Sequence, residues 1–390
     1  MLPILITAFG YLAVIFFPLG QLARLSFFNQ QASIYPYEGF MFFGFVCLLL
    51  RHSFKPLRET SSYKHILLFL IILILSFLLT IYKFDLYANT IGFMYLVRLC
   101  FYFLYFVYTV FHLNFYKKEK IHIFHQLQFT IWIIVISSVL QYLFYPDLRN
   151  LLYQGWDPHL YRVFSFFFEP YLAGAALVLA FYFVHFRMFN KEKCLKIKMI
   201  LLGLIFVLIM LTFSRTVYLA FLGSLFFLLI KEGKFKLFGL TILAFVILAI
   251  FIPKPVGVGV QLFRTFSIET RINNAVEGIR IWLEEPVIGV GYNRIRYKKA
   301  ALGLTDKYDG SHAASSYHSS FVTILVAAGA CGIIAFLILL RKLASLSEPA
   351  FYYILFLSLL SIGDNALLHP FMLFLYLRLL MFESSQSSLA

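Results

Sequence analysis

The sequence has few charged residues, and acidic residues are the scarcest of them. Of its 390 residues 13% are charged, and 18 Asp and Glu stand against 33 Lys and Arg. Soluble domains usually contain about 25% charged and about 45–50% apolar residues, whereas this chain is 62% hydrophobic and includes 48 phenylalanines. These proportions exclude an ordinary soluble domain and predict a protein of the lipid bilayer.

The chain also lacks a cysteine framework and a cleavable leader. Its four cysteines show neither metal-ligand spacing nor the pattern of a disulfide scaffold; they are Cys47, Cys100, Cys194 and Cys331. The first apolar run, 2–20, has no basic segment before it and no small-residue cleavage site after it. We therefore expect this run to be a retained membrane span rather than a signal peptide.

Long apolar runs recur along the chain and predict an all-α integral membrane protein with about twelve transmembrane helices. The predicted spans are 2–20, 36–50, 65–82, 91–114, 121–145, 168–186, 199–214, 216–230, 235–253, 317–340, 349–364 and 366–382. Because no internal repeat or low-complexity linker divides them, we interpret residues 1–390 as a single polytopic membrane domain.

Positive charge is distributed unevenly between the two sides of these spans. With the N-terminus in the cytoplasm, the inner loops contain seventeen Lys and Arg, against five in the short outer loops. This positive-inside pattern predicts that both termini are cytoplasmic. The net charge of +15 is then a topology signal that suits anionic membrane lipids, and we expect no nucleic-acid partner. Residues 254–316 become one large outer loop.

Arg215 is the only charged residue between Lys198 and Lys231. The flanking runs 199–214 and 216–230 predict helices of about 24 Å, shorter than a hydrocarbon core of about 30 Å. Arg215 should therefore lie at or slightly below the outer membrane interface. Its guanidinium either binds a carboxylate or phosphate group or extends to lipid headgroups.

Further polar residues are predicted on the same outer side. Arg162 lies shortly before Glu169 and Pro170, and a proline suits the first turn of a helix. His318 opens the tenth span, where an imidazole serves either as a general base or as a hydrogen-bonded interfacial histidine. Asp364 lies in the last outer turn, a place where polar residues are common.

The large loop contains an amphipathic helix that ends before Pro286. Its apolar stripe comprises Ile268, Ile272, Ala275, Ile279 and Trp282. Such a helix lies on a membrane surface or caps a cavity. Arg271 and Arg280 project from roughly opposite sides, so only one of them faces a given ligand, and either could belong to a solvated face.

Arg98 lies deep inside the fourth predicted span. A buried arginine in a membrane helix normally faces the bundle interior or a water-filled cavity. It could be structural, paired to a carboxylate such as Asp364, or it could line a substrate cleft. We favour the structural interpretation.

Residues 160–340 resemble the O-antigen polymerase and O-antigen ligase superfamily of bacterial membrane glycosyltransferases. The matching segments occur in the family order: RVFSFFFEPYLAG (162–174), LTFSRTVYLAF (211–221), RIWLEEPVIGVGYNRI (280–295), and His318 followed by GACG (329–332). The chain departs from the family at His318–Ser319, where members often have histidine–asparagine. Glu169–Pro170 is more similar to the polymerases, since the ligases tend to have asparagine–proline there.

The resemblance implies a lipid-dependent (GT-C-type) glycosyltransferase fold with a cleft under the large loop, which the amphipathic helix caps. It implies that Arg215, Arg162 and Arg280 bind a diphosphate and that His318 is the catalytic base. Residues expected to support them are Glu169, Tyr317, Arg98, Arg271 and Asp364. Because arginines would replace a cation, we expect no metal and no cofactor.

The implied function is polymerisation of a polysaccharide (O-antigen, capsule or exopolysaccharide) on the outer face of the bacterial cytoplasmic membrane. The donor would be a glycan on a polyprenyl diphosphate such as undecaprenyl diphosphate, the acceptor a lipid-linked repeat unit, and the transfer inverting. A chain-length regulator protein is an expected partner. Alternatives are an O-antigen ligase that transfers to lipid A core, a related protein-glycosylating enzyme, and a transporter or flippase of lipid-linked oligosaccharides. Transporters often show repeats and a long central cytoplasmic loop, and neither feature is present in this sequence.

Overall fold

The chain folds mainly into helices. The computed structural model describes residues 2–59, 63–116, 118–154, 158–189, 194–251, 266–310 and 312–387. Its α-helices are α1 Leu2–Phe16, α2 Pro36–His52, α3 Lys55–Glu59, α4 Tyr63–Leu79, α5 Leu86–Phe115, α6 Glu119–Phe144, α7 Pro170–Phe186, α8 Leu195–Leu211, α9 Arg215–Lys231, α10 Phe235–Phe251, α11 Phe266–Glu284, α12 Ile295–Ala301, α13 His312–Ser315, α14 Ser320–Ala344, α15 Glu348–Leu360 and α16 Pro370–Ser387. Strands β1, Leu25–Phe27, and β2, Ala32–Ile34, form an antiparallel pair.

An α-helix occupies each of the twelve predicted spans. Among the described residues, four helical segments are long and apolar enough to cross a membrane: Leu2–Ala23, Leu86–Phe115, Glu119–Phe144 and Ser320–Ala344. Shorter apolar helices such as α7, with 17 residues, measure about 25 Å against a core of about 30 Å. The prediction of a mainly helical membrane protein is confirmed, while the count of twelve spans and the type of glycosyltransferase fold stay predictions.

The hairpin β1–β2 is an element that the all-α prediction did not contain. Its turn uses Phe28, Asn29 and Gln30, all with φ between 52° and 65°. Strands of three residues are too short for alternation to distinguish them from a loop. The next residue, Gln31, fastens the hairpin to the large loop, because its Nε2 donates to Lys307 O at 2.8 Å and its Oε1 accepts from the Tyr297 hydroxyl at 2.7 Å.

Helix α7 is the buried centre of the bundle. Most of its residues are buried on every side, as expected for a helix that is hydrophobic all round. A Cβ atom at Gly174 would lie 2.9 Å from the Val217 methyl carbons of α9. Helices α7 and α9 therefore approach closely, which brings the first turn of α7 next to the first turn of α9.

Several helix ends meet at one end of the bundle, together with α11. Thr216 of α9 and Arg271 of α11 both contact the turn between α15 and α16, and Ser320 of α14 bonds to the same turn. We call this the loop end of the bundle. It contains most of the site residues that the sequence predicts.

Helix α14 breaks at Gly329, where φ is 64° and ψ is −162°. Residues 286–291 of the large loop insert against this break. The amides of Val290 and Gly291 donate to carbonyls of α14 at 2.9 Å, and Ala330 N donates to Pro286 O at 2.8 Å. Backbone that is not helical is tolerated at membrane depth only where protein satisfies it, so the glycine segments of the loop and of α14 form one packing unit.

Candidate active site

Arg215 is the first residue of α9 and follows a tight turn at Thr212 and Phe213. The φ of Phe213 is 49°, in the left-handed region that a bulky residue rarely adopts. Arg162 supports this turn, since its Nε donates to Thr212 O at 3.0 Å and its Nη2 donates to Phe213 O at 3.3 Å. Arg162 is buried, so it lies beside the turn that positions Arg215.

Arg271 brings a second positive charge to this place. Its Nη2 donates to Asp364 Oδ1 at 2.8 Å, and the Thr216 hydroxyl bonds to the other oxygen of the same carboxylate. The charge of Arg271 also acts on Arg215. Asp364, only 3% exposed, is therefore enclosed between α9 and α11. We call Arg162, Arg215, Arg271 and Asp364 the arginine–aspartate cluster.

Burial raises the pKa of Asp364 to about 6, against the opposing effects of Arg271, the Thr216 hydroxyl and Arg162. Desolvation disfavours the charged carboxylate more than its neighbours favour it. The pKa of this carboxyl group therefore lies above the usual range of an aspartate.

Glu169 lies near the cluster from the side of α7. It directly precedes Pro170, the first residue of that helix. The charges of Glu169, Asp364 and Arg271 all act on the hydroxyl group of Tyr171. The glutamate–proline segment predicted from the sequence thus meets the arginine turn in space.

The predicted amphipathic helix is present as α11, and its apolar stripe is exposed. Three isoleucines of the stripe are about half exposed: Ile268, Ile272 and Ile279. A different face packs on α14, where a Cβ atom at Gly278 would lie 2.4 Å from a Val322 methyl carbon. An exposed row of isoleucines is typical of a helix that lies at a membrane surface.

The packed face of α11 joins Arg271 to His318. Asn274 is three residues after Arg271 and so lies on the same side of the helix. Its Oδ1 accepts a hydrogen bond of 2.9 Å from the backbone N–H of His318. The imidazole of His318 is exposed. One helix face therefore holds both the second arginine and the segment with the predicted base.

The start of α14 is also bonded to the turn that contains Asp364. Ser320 N donates to Ser361 O at 3.1 Å, and the Ser320 hydroxyl donates to Asn365 Oδ1 at 2.8 Å. His318 and Asp364 therefore belong to two segments that are bonded directly to each other.

Tyr317, which directly precedes His318, packs into the interior of the protein. Its side chain is 1% exposed, and Lys299 Nζ lies 4.4 Å from the centre of its ring. Lys299 also pairs with Glu277 of α11 at 2.9 Å. Tyr317 is thus a packing residue in the structure, next to the exposed His318.

Two predicted residues lie apart from the cluster. Arg280 is exposed, nine residues after Arg271 and half a turn round α11 from it. The carboxylate partner of Arg98 is Glu38 rather than Asp364, with Nε and Oε1 separated by 2.6 Å. The Arg98 side chain faces a neighbouring cavity. The diphosphate role assigned to Arg280 stays a prediction that this placement does not favour.

Three polar residues of the site were not identified from the sequence: Thr216, Asn274 and Asn365. Thr216 follows Arg215 directly and could have been noticed as part of the same turn. Asn274 has the helical spacing of three from Arg271. Asn365 follows Asp364, but nothing in its local sequence indicates that it bonds to Ser320.

This arrangement fits the binding of an anionic group beside a base. Three arginines and two nearby carboxylates leave a net positive charge at the loop end. Guanidinium groups match phosphate oxygens with paired hydrogen bonds. An imidazole is a side chain that can accept a proton from a hydroxyl group as a general base.

The apolar bundle and the charged cluster at its loop end define an α-helical membrane protein with a candidate anion site. Residues 200–337 of this chain match the family model described as O-antigen ligase. This match confirms the resemblance to the O-antigen ligase and polymerase superfamily, and it includes Arg215, Arg271 and His318. The comparison with curated proteins found no relative.

Proposed function

We propose that the protein is a polysaccharide polymerase that transfers a glycan from a polyprenyl diphosphate to a lipid-linked repeat unit. The observation that carries this proposal is the pairing of Arg271 with Asp364 close enough to Arg215 for the two arginine charges to interact, with the His318 segment held by the same face of α11. The two arginines would bind the diphosphate, and His318 would act as the base beside them.

In the proposed reaction, an acceptor hydroxyl oxygen attacks the anomeric carbon of the donor sugar. The bond from that carbon to the diphosphate oxygen breaks, and its electron pair leaves with the diphosphate. Arg215 and Arg271 stabilise the charge that develops on this leaving group. The imidazole of His318 accepts the proton of the acceptor hydroxyl. Direct displacement inverts the anomeric configuration, and the arginines take the place of a metal ion.

We further propose that the loop end faces outward from the cytoplasmic membrane of a bacterium, with both chain termini inside. The exposed isoleucines of α11 would rest in the outer membrane interface. This position would cover a lipid diphosphate that enters from the bilayer. A chain-length regulator protein would act as a partner in the same membrane.

An O-antigen ligase is the second candidate, because the family model that matches residues 200–337 has that description. The donor and the proposed chemistry would be the same. The acceptor would be a sugar of lipid A core rather than a second repeat unit. Glu169–Pro170 favours the polymerase, as the resemblance implies.

The test uses purified protein in detergent and a lipid-linked repeat unit from the source organism, with products resolved on a gel. A ladder of lipid-linked oligomers, unchanged by EDTA, is the expected result. The Arg149→Ala variant is a matched control, because Arg149 is exposed and pairs with Asp147 in a different loop. Transfer only to added lipid A core would identify a ligase. A lipid-linked repeat unit that stays intact under both conditions would contradict the proposal and favour a transporter of lipid-linked oligosaccharides.

A further inference from the structure

A small polar cavity of about 110 Å³ lies at the loop end, next to the arginine–aspartate cluster. Asn365 lines it and directly follows Asp364, while Ser316 lines it two residues before His318. A single ordered water needs on the order of 10 Å³, so the cavity holds more than isolated waters. It is placed between the two segments that contain the candidate catalytic groups.

The walls of the cavity combine aromatic rings with amide groups. Tyr35, Tyr95 and Tyr292 contribute rings, and Asn293 and Asn365 contribute amides. Rings of this kind pack against the C–H faces of sugars, while amides both donate to and accept from hydroxyl groups. A few polar groups among aromatic walls are typical of small-molecule sites.

A carboxylate neutralises the arginine charge at the cavity. Arg98 lines the cavity and pairs with Glu38 at 2.6 Å. The same carboxylate accepts from the Tyr102 hydroxyl at 2.7 Å and from Tyr35 N–H at 3.0 Å. Little net charge remains to attract a phosphate, so the lining favours a neutral polar ligand over the diphosphate.

One polar feature of the lining points to a ligand. Arg98 Nη2 is buried without a hydrogen-bond partner among the described residues, and buried donors of this kind are uncommon in native proteins. Asn293 has a φ of 57°, a left-handed conformation that asparagine adopts readily in turns. A ligand hydroxyl oxygen would satisfy Arg98 Nη2.

We propose that this cavity, between Arg98, Asn293 and Asn365, binds a neutral sugar ring of the glycan substrate. The identity of the ligand as a glycan rests on the proposed function. The neighbouring cluster holds the diphosphate, and the cavity holds the ring whose hydroxyl lies nearest His318. The cluster then recognises the donor by the charge of its diphosphate, and the cavity recognises the sugar by the arrangement of its hydroxyl groups.

The experiment measures two probes separately on the purified full-length protein. The repeat-unit glycan, released from its lipid diphosphate, is followed by saturation-transfer NMR, and farnesyl diphosphate is followed by titration calorimetry. Asn293→Gly and Asn365→Ala should each weaken glycan binding about tenfold, as loss of one or two hydrogen bonds implies. Glycine at position 293 removes the amide while it relieves the left-handed backbone. The Asn293→Gly variant should bind farnesyl diphosphate as the wild type does.

Arg271→Ala should give the opposite pattern, with weaker farnesyl diphosphate binding and unchanged glycan binding. Asn114→Ala is the matched control, because Asn114 is an exposed asparagine in α5 near its far end, and it should change neither. Wild-type protein that binds farnesyl diphosphate but not the glycan would overturn the sugar site alone. Glycan binding that is lost in the asparagine variants, in a protein without transferase activity, would keep the sugar site and overturn the proposed function. Unaltered glycan binding in both asparagine variants would also overturn the sugar site.

Discussion

The Arg271 guanidinium donates a hydrogen bond of 2.8 Å to the carboxylate of Asp364, which is 3% exposed. The two residues are far apart in the sequence, one in the large loop and one between the last two helices. Their pairing closes α11 over the start of α9 and places Arg271 next to Arg215. It explains why an isolated arginine in an apolar run acquires charged neighbours.

The two arginines of α11 should differ strongly in their importance. Arg271→Ala should lower glycan transfer by about a hundredfold, because it removes a charge that would stabilise the leaving diphosphate. Arg280→Ala should leave transfer close to the wild-type rate, since that side chain is exposed and points half a turn away. The measurement is the initial rate of glycan transfer from the lipid-linked repeat unit, compared between the two variants and the wild type. Equal losses in the two variants would contradict the placement of α11.

Asp364 should make the stability of the protein depend on pH. Its folded pKa of about 6 is above the value of about 3.9 for an exposed aspartate. The native state therefore binds this proton more tightly, and the resulting stability is fully present below about pH 4 and is lost as the pH rises through 6. Relative to Asp364→Asn, the wild type should lose thermal stability between about pH 4 and pH 6.

The measurement for Asp364 is the difference between the Tm values of wild type and Asp364→Asn in detergent. Subtracting one Tm from the other cancels the contribution of groups that titrate in both proteins. Expressed as a free energy of unfolding, the difference between the two proteins should change by no more than about 1.4 kcal/mol per pH unit, because a single group titrates. A difference that does not change with pH would show that Asp364 keeps an ordinary pKa.

His318 should matter for turnover and not for donor binding. His318→Ala should lower the transfer rate by about a hundredfold to ten-thousandfold, as expected for a lost general base, while farnesyl diphosphate binds normally. His125→Ala is a suitable control because His125 is exposed on α6, away from the site. An active His318 variant would remove this residue as the base.

Gly329 should be required for folding of the loop against α14. A Cβ atom there would lie 2.2 Å from Val287 O, and the backbone angles are accessible almost only to glycine. Gly329→Ala should therefore cost at least about 3 kcal/mol and lower the Tm in detergent. In contrast, Gly203→Ala on the open side of α8 should be neutral or stabilising by up to about 1 kcal/mol. Similar Tm values for both variants would contradict the packing of residues 286–291.

Much of the helical framework was predictable because apolar runs and prolines mark it. Pro170 begins α7, and α11 ends before Pro286, as the sequence indicated. The position of Arg215 at a turn between two helices was predictable because a single charge interrupts an apolar run. The contacts of Arg162 with the carbonyls of that turn were not predictable.

The remaining features depend on tertiary packing. The period of α11 identified its apolar stripe but not that the other face, with Arg271, would pack on the bundle. The partner of Arg98 is Glu38 in α2, and a span-by-span interpretation does not determine which helices are neighbours. Likewise, insertion of residues 286–291 into the break of α14 requires two distant glycine segments to fit each other.

We expect Arg215 and Arg271 to bind the diphosphate of the donor. The affinity of the purified protein for farnesyl diphosphate, compared with that of the Arg215→Ala variant, measures this binding directly. Arg215→Ala should weaken the binding of farnesyl diphosphate about thirtyfold, a loss of about 2 kcal/mol. The affinity of Arg215→Lys should lie between those of the wild type and Arg215→Ala, because an ammonium group cannot form a paired contact with phosphate oxygens. Arg149→Ala should bind as the wild type does. Equal affinity of the wild type and Arg215→Ala for farnesyl diphosphate would show that Arg215 does not bind the diphosphate.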